Sequence, residues 1–127
     1  MIVSDFGWID NPILEIDPVN LPHRFTVWRD FRVGFKLDGK DTVLTVPAGT
    51  VTDLASIPRP LQGWLIEVVG AHMAAAVVHD YLCTIREPWP SDVAHQILYH
   101  AALASRTPEK TAQTLYDGVV LGGPKWD

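Results

Sequence analysis

Three short runs hold most of the side chains in this sequence that could do chemistry. Thr52-Asp53-Leu54-Ala55-Ser56-Ile57-Pro58-Arg59 sets a carboxylate and a guanidinium in one turn-rich segment. His79-Asp80-Tyr81-Leu82 sets an imidazole beside a second carboxylate, and Ser91-Asp92 adds a third. Asp53, His79, Asp80 and Asp92 make an oxygen-rich donor set with one imidazole, which suits Zn²⁺, Mg²⁺ or Mn²⁺ rather than a soft metal. A divalent metal held there would activate water near neutral pH. Asp53, His79 and Asp80 are therefore the candidate catalytic residues. Arg59, its backbone fixed between Pro58 and Pro60, is a candidate clamp on a carboxylate or phosphate.

Each of these residues also has a structural reading. Asp53 suits an Asx-turn or a helix cap. His79 suits a core histidine bonded to backbone or to Asp53, and Arg59 an ion pair with Asp53 or Asp80. Adjacent helical residues point about 100° apart, so His79 and Asp80 do not squarely face one spot. The same dipeptide occurs in HD phosphohydrolases, which need a further upstream histidine. His72 lies seven residues before His79, ~10 Å away along the helix axis, too far for one mononuclear site. His79 and Cys83 share a face at i,i+4, a spacing that suits a zinc pair and, more readily, two core residues. Asp92 suits the first turn of a helix, where the dipole favours an anion, with His95 as an exposed neighbour. Ser56 lacks the Gly-x-Ser-x-Gly elbow of serine hydrolases. No phosphate-cradling glycine loop of Walker or Rossmann type is present.

The elements that must position these groups can be read from periodicity. Residues 1–23 read as an irregular arm with one short strand, docked on the core by Phe6, Trp8, Ile13, Leu14 and Ile16. Phe25, Val27, Phe31, Val33, Phe35 and Leu37 alternate with polar residues, which predicts one half-buried strand or two with a kink at Gly34. Asp38-Gly39 predicts a tight hairpin turn, and Thr42–Val46 the returning strand. Val51 begins a third short strand, so residues 24–51 form a β-hairpin region and 52–60 the loop that carries Asp53 and Arg59. Helices dominate residues 61–121. A short one is predicted from Leu61 to Val69, a buried alanine-rich one from Ala71 to Cys83, and one from Ser91 to about Ala104. The last runs from Thr107-Pro108-Glu109 to about Leu121. Strands first and helices after is the α+β pattern: a small antiparallel sheet, then a cluster of three to four helices, in one domain.

Composition narrows the function classes. The 127 residues suit a single domain. With 47% hydrophobic and 20% charged residues the chain reads as globular. Its net charge of −5 argues against a nucleic-acid partner, which calls for a basic face. The longest clean apolar run, Met73 to Val78, falls far short of the ~20 residues of a membrane span. The N-terminus lacks the basic and apolar regions of a signal peptide, so export by the general secretory route is not expected. One cysteine, Cys83, excludes an intramolecular disulfide. Of the five tryptophans, Trp28 falls on the polar face of its strand, and exposed aromatics mark interfaces with other proteins or carbohydrate.

Val46-Pro47-Ala48-Gly49, the Asp53 run, and Ala75-Ala76-Val77-Val78-His79-Asp80-Tyr81-Leu82 occur in an order and spacing that resemble a phage-related family, domain of unknown function 1353. The resemblance runs from about Phe31 to Trp126, with weaker echoes at Ser91-Asp92 and Leu115-Tyr116. This chain departs from the family pattern at Thr50, Cys83 and Ser91, and these departures leave Asp53, His79, Asp80 and Asp92 in place. The resemblance implies a phage or prophage origin and no reaction. Two destinations follow. One is a small metal-dependent hydrolase acting in infection or lysis. The other is a non-enzymatic virion component, in tail or baseplate, with other phage structural proteins as partners and the Asp–His–Arg cluster as a structural network. A host-directed inhibitor with an acidic arm is a third.

Overall fold

The computed structural model describes residues 1–16, 24–52 and 71–127. Side chains of residues 71 and 72 fall outside that description, and so do the helix expected over 61–69 and the segment that holds Asp53, Ser56 and Arg59.

The N-terminal half is all strand. β1 (Val3–Trp8), β4 (Phe31–Leu37) and β5 (Lys40–Val46) form one antiparallel sheet in the order β1-β4-β5. β2 (Leu14–Ile16), β3 (Phe25–Val27) and β6 (Val51–Thr52) form a second, in the order β2-β3-β6. Three helices follow: α1 (Ala71–Ile85), α2 (Ser91–Ala104) and α3 (Glu109–Gly122). The α+β reading holds, with two three-stranded sheets where one small sheet was expected.

Two details differ from the sequence reading. The alternating stretch breaks at Trp28–Asp30, not at Gly34, and its two halves join different sheets. Asp30 holds the break, its Oδ1 accepting from the Ala48 amide at 2.6 Å. Gly34 instead sits in mid-strand under Ile9, whose Cδ1 would lie 3.4 Å from an added Cβ. The N-terminal arm is also more regular than expected, supplying both β1 and β2.

Alternation along β4 and β5 decides which face is buried. Phe31, Val33, Phe35, Leu44 and Val46 turn inward onto Val77, Val78 and Leu82 of α1 and Val93, Ala94 and Ile97 of α2. A second cluster joins the helices to one another through Ala75, Ala76, Leu98, Ala101, Ala112, Leu115 and Val119. Alanines at these contacts let the helix axes approach closely. The result is that α1 is buried at every residue from Ala75 to Asp80. Among the described residues no helix is long and apolar enough to cross a membrane.

Candidate functional site

Burial on all sides of α1 explains how two polar neighbours, His79 and Asp80, sit inside. They point in different directions, and each meets a different element. Asp80 reaches the second sheet, where the Thr52 hydroxyl at the end of β6 donates to its Oδ2. His79 faces α2, with Nε2 2.9 Å from Nδ1 of His95. The other nitrogen of His95, Nε2, lies 3.1 Å from the carbonyl oxygen of Pro124. His79 is fully buried, and Asp80, His95 and Thr52 are nearly so.

Chemistry assigns the protons along this chain. A carbonyl oxygen only accepts, so His95 carries its hydrogen on Nε2. Neutral His95 then offers a lone pair at Nδ1, and His79 donates from Nε2. The Cys83 thiol lies 3.6 and 3.8 Å from the two ring nitrogens of His79, one helical turn away. Electrostatics agree with neutral rings. Burial, reinforced by His95 nearby, pushes the pKa of His79 down to about 3. Burial also lowers that of His95, against the opposing pull of the Pro124 carbonyl and of Asp92, and with a further lowering from Lys125.

The C-terminal segment closes this region. The Ser91 backbone amide and hydroxyl both donate to the Trp126 carbonyl, at 3.0 and 3.1 Å. The Trp126 indole donates to the Trp89 carbonyl at 2.9 Å, and the Arg86 guanidinium lies 5.5 Å from the indole centre. Ser91 is thus the first helical residue of α2 and a latch for the C-terminal segment, while Pro90 takes the cap position expected of it.

The described residues show three members of the expected cluster, His79, Asp80 and Asp92, each beside a different partner. His79 meets His95, and Asp80 meets Thr52. Asp92 is exposed on α2, its Oδ2 3.7 Å from the amino group of Met1. With His95, Tyr116, Val120, Lys125 and Trp126 it lines a surface groove of about 560 Å³. Asp53 and Arg59 lie outside the described residues. Among the described residues, no three His, Cys, Asp or Glu side chains form a group that could hold a metal.

His95 is the residue that sequence reasoning misplaced, as an exposed neighbour of Asp92. It is buried. The signal was present: His95, Leu98 and Ala102 fall at i, i+3 and i+7 on the apolar stripe of α2. Gln96 was overlooked as well. Its side chain accepts from the Val3 amide at 3.0 Å and donates to the Met1 carbonyl at 2.8 Å, pinning β1 to α2.

The fold and this site define an α+β protein whose polar centre joins sheet, helices and C-terminal segment. A family model described as "Protein of unknown function (DUF1353)" matches residues 25–119, and the chain belongs to that family. It is similar to the uncharacterized protein y4jT of Sinorhizobium fredii (strain NBRC 101917 / NGR234), with 36% identity over 84 residues. That match covers 64% of this chain and 24% of the relative, so the chain spans about a quarter of the relative's length. No solved structure matches the chain.

Proposed function

We propose that this protein is a non-enzymatic structural component, and that the polar centre around His79 is a fold-locking network rather than a catalytic site. The observation that carries this reading is the His79–His95–Pro124 chain, in which Nε2 of each buried ring is committed to a partner inside the protein. A general base needs a nitrogen within reach of substrate, and a metal ligand needs a lone pair aimed at the ion. His79 Nε2 instead points at His95, at ordinary hydrogen-bond distance. A buried polar network of this kind rigidifies a core when its members are satisfied. We further propose that the protein is a particle component of a phage or prophage, tail or baseplate, a reading supported by the resemblance of its Asp53 and His79-Asp80 runs to a phage-related family.

The test is metal analysis of protein purified without chelator, together with the His79→Ala variant. The expected result is no stoichiometric metal and a loss of stability of roughly 1–3 kcal/mol, from partners left unpaired in the core. Stoichiometric zinc, manganese or magnesium that disappears in His79→Ala while unfolding stays cooperative would replace this reading with the hydrolase one. Co-sedimentation with assembled particles tests the placement in a virion.

A further inference from the structure

The two edges of the β1-β4-β5 sheet are treated differently. The β1 edge is blunted: Asp5 has φ 51°, the register shifts between Ser4 and Gly7, and α2 packs against the strand. A bulge and a covering helix are the usual protections of an edge. Among the described residues the β5 edge has neither. All seven residues of β5 stay in unbroken register with β4, and none is proline. Among the described residues, no strand pairs with its outer side.

The backbone groups on that edge can be identified from the turn. Asp38 and Gly39 both have positive φ, 51° and 80°, and Leu37 pairs with Lys40 across this two-residue loop. In such a hairpin the closing pair exchanges both hydrogen bonds, and bonded pairs then recur at every second residue. Lys40, Thr42, Leu44 and Val46 therefore bond to β4. Asp41, Val43 and Thr45 turn their N–H and C=O groups outward, and their side chains are exposed on the outer face, Val43 at 60%.

We propose that β5 is a self-association edge, pairing antiparallel with β5 of a second copy of this chain about a two-fold axis through Val43. The sequence of β5 is self-complementary in that register. Val43 of one copy meets Val43 of the other, and Asp41 of each meets Thr45 of the other, so outward-facing residues pair only with outward-facing residues. Six backbone hydrogen bonds form. The exposed valines cover one another, each Asp41 carboxylate gains a threonine hydroxyl opposite, and no like charges are opposed. The interface is isologous and closes at two copies, joining two three-stranded sheets into one of six. This inference rests on β5 alone and stands whether or not the His79 network is catalytic.

Sedimentation equilibrium of the full chain over a concentration series tests it. The mass should rise from 14.1 kDa toward twice that value as concentration increases. Backbone amides of Asp41, Val43 and Thr45 should become protected from exchange over the same range. Val43→Lys puts two ammonium groups face to face. Thr45→Pro removes one outward N–H and leaves the β4 ladder intact. Each variant should stay at 14.1 kDa with the wild-type circular dichroism spectrum. Val43→Cys should give an oxidised covalent dimer, and Thr45→Cys alone should not, because its opposite number is Asp41. A wild-type mass fixed at the monomer value at every concentration overturns the proposal. So does a dimer that persists in both Val43→Lys and Thr45→Pro, which would place the contact on another face.

Discussion

Nε2 of His79 on α1 lies 2.9 Å from Nδ1 of His95 on α2, with both rings buried. The pair joins two helices at a point where their other contacts are alanine, valine, isoleucine and leucine. Because His95 passes its second nitrogen to the Pro124 carbonyl, one continuous set of hydrogen bonds runs from the centre of α1 to the C-terminal segment.

This relationship predicts strong non-additivity. His79→Ala and His95→Ala should each destabilise by roughly 1–3 kcal/mol, since each strands a buried partner. The double variant should cost less than the sum, with a coupling energy of about 0.5–3 kcal/mol. Urea denaturation of the four proteins measures it, and additive losses would mean that the two rings act independently.

Stability should fall with acid in a defined window. The unfolded chain protonates His79 near the ordinary value of 6.5, while the folded chain resists until about 3. Between those values the unfolded state binds more protons, so stability decreases as pH drops below about 6.5 and levels off only near 3. One such group contributes a slope of at most about 1.4 kcal/mol per pH unit. His95 and His100, whose pKa values are also lowered by burial, add slopes of the same sign. Denaturation midpoints of the wild type and of His79→Leu across this range check the prediction: the variant should show the shallower dependence.

Thr107 offers a prediction in the opposite direction. It is buried, and its hydroxyl has no hydrogen-bond partner among the described residues. Thr107→Val keeps the shape and removes the unpaired oxygen, so it should be neutral or stabilise by up to about 1 kcal/mol. Thermal unfolding reads the sign directly.

Much of the architecture was legible from periodicity. The period-two alternation of Phe31, Val33 and Phe35 marked the buried face of β4, and Asp38-Gly39 marked its turn, because both signals are local. The partition into two sheets was not legible. It is accompanied by contacts distant in sequence, among them the Asp30 carboxylate accepting from the Ala48 amide 18 positions away. The site followed the same division. His79 and Asp80 stood out as polar residues on an apolar helix, yet their partners Thr52 and His95 are set by tertiary packing. His79 and Asp80 are neighbours in sequence, and helical geometry turns them toward different described partners, His95 on α2 and Thr52 on β6. Ser91 carried a strong cap signal and uses its hydroxyl on Trp126 instead, a long-range contact that cap statistics do not contain.

The most direct test of the network is the protonation state and tautomer of its two imidazoles, read by nitrogen-15 NMR of histidine-labelled protein. At about pH 7 both rings should be neutral with the proton on Nε2, and His79 should remain so down to about pH 5. Added zinc should leave the His79 resonances in place. Titration of His79 near 6.5, or displacement of its ring nitrogens by stoichiometric zinc, would contradict the account.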